Sequence, residues 1–128
     1  MPFTPRCLEE LRREIAAFAA EREWEQFHTP RNLLLALVSE IGELADLVRW
    51  RGDAQPAVAD EDRQAWEAEL ADVGILLVRL ADRSGVDLSA AIARKLQEVR
   101  QRYPADAYRG SARKAPSGQR EAEADQRP

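Results

Sequence analysis

The sequence predicts an all-α domain, an antiparallel four-helix bundle that assembles into a homo-oligomer. Three observations predict it. Apolar residues recur at intervals of three and four along four separate segments. No run alternates apolar and polar residues between turn dipeptides, as a half-buried strand would. The second segment is apolar around most of its circumference, and a helix of that kind must be covered on several sides. A chain of 128 residues has room for one domain with a single core.

Helix 1 is expected to open at Thr4 as N-cap with Pro5 in the first helical position, and Leu8, Leu11, Ile15 and Phe18 form its apolar stripe. The segment from Trp24 to His28 leads out of it. Thr29-Pro30 repeats the cap-then-proline signal and starts helix 2, which is expected to run to about Arg51, with Gly52 as a left-handed C-cap. That reading also accounts for Arg51-Gly52-Asp53 as a helix end. Residues 53–61 carry Pro56 and small residues without periodicity, an exposed linker. Helix 3 begins near Asp60 or Asp62 and ends before Gly85, with a core stripe of Trp66, Leu70, Val73, Leu77 and Leu80. Asp87 caps helix 4, Leu88, Ile92, Leu96, Val99 and Tyr103 line it, and Pro104 stops it. The domain is expected over residues 1–104. Residues 105–128, rich in Arg, Ser, Gly and acids without an apolar stripe, are expected to form a tail whose last fifteen or so residues are disordered.

In helix 2, Leu33, Leu34, Leu35, Leu37, Val38, Ile41, Leu44, Leu47 and Val48 cover most of the surface. A monomeric bundle of this size leaves one side of each helix exposed, so burial against a second copy is expected, in a dimer or a tetramer. The net charge of -4 argues against a nucleic-acid partner, which selects for basic excess. No segment has the apolar length of a membrane span or a signal peptide, and a single cysteine, Cys7, fits a reducing compartment. A cytoplasmic protein with no membrane partner is the expectation. With His28 as the one histidine, histidine-based zinc, haem and triad chemistry is largely removed.

The carboxylates remain. Glu40 and Glu43, three residues apart, share one face of helix 2 and interrupt an apolar helix. Glu69 and Asp72 repeat the spacing on helix 3. Acidic pairs of this kind are ordinarily a solvated face, but helix 2 has little polar surface to place them on, and burying two carboxylates together is unfavourable. If the helices pack antiparallel, the pairs can face each other. Four acidic oxygens without histidine or thiol suit a hard cation, Mg2+ or Mn2+. A ferritin-like di-iron bundle would need Glu-x-x-His pairs, which the chain lacks.

E-x-x-E followed after 25 residues by E-x-x-D resembles the signature of the MazG-like all-α nucleoside triphosphate pyrophosphatases. The stretches FAAEREWEQFHTPRNLLLALVSEIGELADLVRW at 18–50 and ELADVGILLVRLA at 69–81, with QRYP at 101–104 and the trailing RGSARK, are similar to the dCTP pyrophosphatase subgroup. The resemblance covers roughly residues 6–114. It implies hydrolysis of a nucleoside triphosphate, dCTP or a modified dCTP, to the monophosphate and pyrophosphate. By the same likeness Glu40, Glu43, Glu69 and Asp72 hold Mg2+ and carry catalysis. Trp24, Glu25, Gln26, Phe27, His28, Trp50 and Lys95 contact substrate; Lys95, Arg102, Arg109 and Lys114 are candidates for phosphate contacts, with plain surface charge the better reading for Arg102 and Lys114. Aromatic faces suit a base, each stack being worth roughly 1–3 kcal/mol. Ile15, Leu76 and Val99 stand where relatives carry histidine, tyrosine and asparagine. Each removes a hydrogen-bonding group, so the reaction is specified more sharply than the base. Two other readings stay open: a hydrolase of other or noncanonical (d)NTPs, and a non-enzymatic helical interaction module.

Overall fold

The computed structural model describes residues 5–116, and among these there is no strand. The helices are α1 (Leu8–Glu21), α2 (Pro30–Asp46), α3 (Arg63–Arg83), α4 (Leu88–Arg102) and α5 (Ala105–Tyr108), with 3-10 turns at Trp24–Gln26 and Asp60–Asp62. No helix among the described residues is long and apolar enough to cross a membrane. The chain divides into two compact units, Met1–Ser89 and Ala90–Pro128.

In the first unit α3 packs against both α1 and α2. The α2–α3 pair is antiparallel, because His28, just before α2, meets Arg79 near the end of α3, whereas Glu40 within α2 meets Glu69 near its beginning. The inner face of α2 follows the helical repeat through Leu33, Leu37, Glu40, Leu44 and Leu47, the first two buried and the rest half-buried. The facing residues of α3 are Trp66, Glu69, Val73, Leu76 and Leu80, all half-buried. This corrects the expected stripe. Leu70 and Leu77 stand exposed beside the inner face, and Glu69 and Leu76 occupy it. The apolar pattern alone is satisfied by either of two neighbouring rows, and the position of α2 selects the row that contains the acid.

The capping signals hold at two ends. Thr29 Oγ1 accepts from the Asn32 backbone N–H at 3.2 Å, with Pro30 opening α2. At the end of α3, Gly85 adopts φ +69°, Val86 N–H donates to Ala81 O at 2.9 Å and Gly85 N–H to Asp82 O at 3.1 Å. These are the two bonds of a Schellman ending, and the positive φ is what glycine permits.

Three boundaries differ. α1 begins at Leu8, not Pro5, because Cys7 is its N-cap and the Cys7 N–H donates to Glu10 Oε2 at 2.9 Å, closing the first turn there; the proposed cap Thr4 lies outside the described residues. α2 ends at Asp46 rather than near Arg51. Beyond it the bonds include three-residue turns, Leu47 N–H to Leu44 O at 3.3 Å and Arg51 N–H to Val48 O at 3.1 Å, and Gly52 is not among the residues of positive φ. Arg51 Nε then donates to Pro56 O at 2.8 Å and folds the linker back; Ala59, in the stretch read as an exposed linker, is buried. In the second unit the chain does not become irregular at Ala105. It forms α5, where the Tyr103 and Tyr108 rings meet edge-to-face at 4.8 Å and Ala115 N–H donates to the Tyr103 hydroxyl at 3.2 Å. Of the last fifteen or so residues, expected to be disordered, 117–128 lie outside the described residues.

Candidate metal and nucleotide site

Three acids converge between α2 and α3. One carboxylate oxygen each of Glu40, Glu43 and Glu69 lies within 4.8 Å of the others. The spacing explains it: Glu40 occupies the inner row of α2, Glu43 follows one turn later on the same side, and Glu69 occupies the inner row of α3. Asp72 stands outside this group of three and is exposed, yet its charge acts on Glu40. Two oxygens, Glu40 Oε2 and Glu69 Oε2, are buried without a hydrogen-bond partner, an arrangement that is costly unless something positive or a proton fills it. The Glu40 carboxyl is pushed up to about 7, first by its contact with Glu69, then by Glu43, burial, and the charges of Glu43 and Asp72. All donors are oxygens, two of them buried without a partner, so the set fits a hard divalent cation.

The segment from Trp24 to His28 is shaped by local bonds. Glu23 turns the chain at φ +54°, a left-handed conformation uncommon for a residue other than glycine. Gln26 Nε2 donates to Glu23 O at 3.0 Å and Asn32 Nδ2 to Phe27 O at 3.0 Å. Trp24 packs edge-on against Phe18, with ring centres 5.6 Å apart, and against the His28 ring at 6.1 Å. Phe27 is exposed. Trp50, in the turns after α2, is 85% exposed, with the Arg49 guanidinium 5.1 Å from its ring centre. Glu25 offers its backbone carbonyl to Arg83 Nη2 at 3.3 Å.

The remaining candidates belong to the second unit. Lys95 pairs with Glu98 on its own helix at 3.3 Å, Arg109 with Asp106 at 3.5 Å, and Arg102 lies 5.7 Å from the Tyr103 ring centre. Lys114 is exposed.

Sequence reasoning missed a network. Arg79, inside the apolar run of α3, is only 3% exposed. Its Nε donates to His28 Nδ1 at 3.0 Å and its Nη1 to Asp82 Oδ2 at 3.1 Å. The other Asp82 oxygen accepts from Arg12 Nη1 at 3.0 Å, and Arg12 is held by Glu9 at 2.7 and 2.6 Å. Asp82 therefore bridges two arginines. The available signal was the Arg79–Asp82 pair, three apart within LLVRLAD.

The profile of the MazG-like family matches residues 36–115. The chain is 55% identical to rat dCTP pyrophosphatase 1 over 86% of its own length and 67% of the rat protein's, and 53% identical to the human protein of that name over 88% and 68%. A solved pyrophosphatase from Archaeoglobus fulgidus superposes with a TM-score of 0.71 at 29% identity, over 81% of this chain and 98% of that one. With the profile spanning more than half of the sequence and both mammalian relatives above half identity, the chain belongs to the MazG-like family.

Proposed function

We propose that the protein is a Mg2+-dependent pyrophosphohydrolase that converts a (deoxy)nucleoside triphosphate, dCTP or a modified dCTP, to the monophosphate and pyrophosphate. The observation that carries this is the carboxylate cluster with two buried, partnerless oxygens on the facing rows of α2 and α3. The names of the mammalian relatives and of the archaeal structure favour the same reaction. Glu40, Glu43 and Glu69, with Asp72 adding charge, would hold Mg2+, or Mn2+ in its place. A bound cation would offset the charge of the triphosphate and of the departing pyrophosphate, in a reaction that asks the protein mainly for positioning and neutralisation. Trp24, Phe27 and Trp50 present exposed aromatic surface of the kind that stacks on a base, His28 is a polar group for base or phosphate, and Lys95, in the second unit, is a phosphate candidate by itself.

The enzyme acts as a homo-oligomer. Leu34, Leu35, Val38 and Ile41 line the outer side of α2, each about half exposed, and Leu70, Ile75 and Leu77 of α3 are exposed to a similar degree. Each leaves on the order of 1 kcal/mol of transfer free energy unrealised in the single chain. A second copy is the occupant such a surface fits, and the location is cytoplasmic, with neither nucleic acid nor membrane as partner.

A panel of canonical and modified NTPs and dNTPs with Mg2+, scored for monophosphate and pyrophosphate, tests the reaction. Release of orthophosphate would overturn it, and a preference outside dCTP and its modified forms would move the substrate to another (d)NTP. Light scattering that finds only a 14.4 kDa species would remove the oligomer.

A further inference from the structure

We infer that Arg79 is the positioning residue of His28, holding the chain's one imidazole as a fixed, neutral Nε2–H hydrogen-bond donor to the nucleotide rather than as a proton-transfer group. The nucleotide part of this rests on the reading of residues 24–28 as substrate-facing. The positioning part rests on geometry alone.

A guanidinium carries five N–H groups and no acceptor, and it stays protonated. Arg79 Nε lies 3.0 Å from His28 Nδ1, so the ring nitrogen that faces it must present a lone pair. In a neutral imidazole the hydrogen then sits on Nε2. Protonating Nδ1 would set N–H against N–H. The charged groups around the ring point the same way. Burial and then the cations Arg79 and Arg83 of α3 lower the imidazole's pKa below its usual 6.5, while Glu25 of the preceding turn opposes them.

The guanidinium is itself immobilised. Asp82 accepts from Arg79 Nη1 at 3.1 Å and from Arg12 Nη1 at 3.0 Å, and Glu9 grips Arg12 through both oxygens. The positioning therefore runs from α1 through α3 to the ring. On the other side Arg83 Nε donates to His28 O at 3.0 Å, fixing the backbone, and Trp24 meets the ring edge-on. Arg79 Nη2 is buried with no partner. A residue that served only to fill the core would be better replaced by an apolar side chain. What a guanidinium adds at this place is the one-way donor that sets the tautomer. A donor at Nε2 suits an acceptor of the nucleotide, either a base carbonyl or ring nitrogen, or a phosphate oxygen.

Because His28 is the single histidine, every imidazole signal belongs to it. In 15N-labelled wild-type protein the expected spectrum has Nδ1 in the pyridine-like range and Nε2 in the pyrrole-like range, with a midpoint below that of a free histidine. Arg79→Met should mix the two tautomers and raise the midpoint. Arg79→Lys, which keeps the charge but loses the planar fork, should raise it less. An Arg79→Met protein, folded by circular dichroism, whose imidazole spectrum and midpoint equal the wild type overturns the positioning whatever the activity. If Arg79→Met does not fold, the Arg79→Lys spectrum decides by the same criterion.

The donor role is read in kinetics. Arg79→Met should raise KM about five- to tenfold with kcat little changed, the size of one lost hydrogen bond. His28→Gln, which keeps an N–H donor and has no titrating proton, should raise KM less than His28→Ala. A collapse of kcat in His28→Gln at unchanged KM overturns the fixed-donor role. Deoxyribose triphosphate lacking a base separates the acceptors: if the KM effect of Arg79→Met vanishes with it, His28 donates to the base, and if it persists, to phosphate. Should the imidazole respond to Arg79→Met while no triphosphate is hydrolysed, the positioning stands and the proposed reaction falls.

Discussion

Around Glu40, negative groups meet negative groups, and two buried oxygens have no donor. Around His28 the charges alternate, Glu9, Arg12, Asp82, Arg79, and the run ends on a neutral ring held by a single N–H. Both clusters use α3, one near its beginning and one near its end. The first cluster is electrostatically incomplete and is relieved by a proton or a cation. The second is nearly complete without any ligand and leaves one guanidinium nitrogen unpaired. On the proposed reading the first group binds a ligand and the second orients a side chain.

The largest effect that would break this comparison comes from the acids. Glu43→Ala should lower kcat by on the order of 10²–10³-fold in a pyrophosphate-release assay, and near-normal turnover would reassign the cluster to a solvated face. Chelation should act on stability as well as activity. At a free Mg2+ concentration a hundredfold above Kd, thermal unfolding should reflect about 2.7 kcal/mol of added stability; an unchanged melting curve would remove the metal from the cluster.

The two regions should also respond to pH with opposite slopes. The Glu40 pKa is raised from 4.5 to about 7 in the metal-free protein. Its contribution to stability is therefore full below 4.5 and is lost as pH rises through about 7. Bound Mg2+, replacing the proton, should flatten that decline. The His28 pKa is lowered from 6.5, so its contribution is full above 6.5 and is lost as pH falls through the folded value. Melting temperatures of Glu40→Gln and His28→Gln across this range separate the two: the first should abolish the alkaline decline and the second the acid one. If both slopes survive both substitutions, other groups carry them. The smallest effect is expected from Arg12→Gln, which acts on His28 through two intermediaries. Its imidazole midpoint should move less than that of Arg79→Met, and a larger movement would place Arg12 rather than Arg79 in control of the ring.

Several features were legible before any coordinates. Thr29-Pro30 marks the opening of α2 because both residues act locally, one through its hydroxyl and one through its fixed φ. Gly85 marks the end of α3 because only glycine takes that φ without strain. The spacing of Glu40 and Glu43 puts both on one side of an apolar helix, although only Glu40 is half-buried there and Glu43 is exposed. Their proximity to Glu69 also follows once the two helices face each other.

Other features were decided by tertiary packing. Helical periodicity allows Leu70 and Leu77, or Glu69 and Leu76, to face inward, since the two rows lie about 100° apart on the helix. Only the position of α2 chooses between them. Arg79 looks like an ordinary charged residue in the sequence, and its burial exists because His28 and Asp82 arrive from one side and its own helix. What the sequence determines by itself is whatever depends on a residue and its neighbours within a turn: caps, helix rows and the identity of the acids. Which row is buried, and which charge meets which, depends on groups brought together from distant positions, and no local period contains that choice.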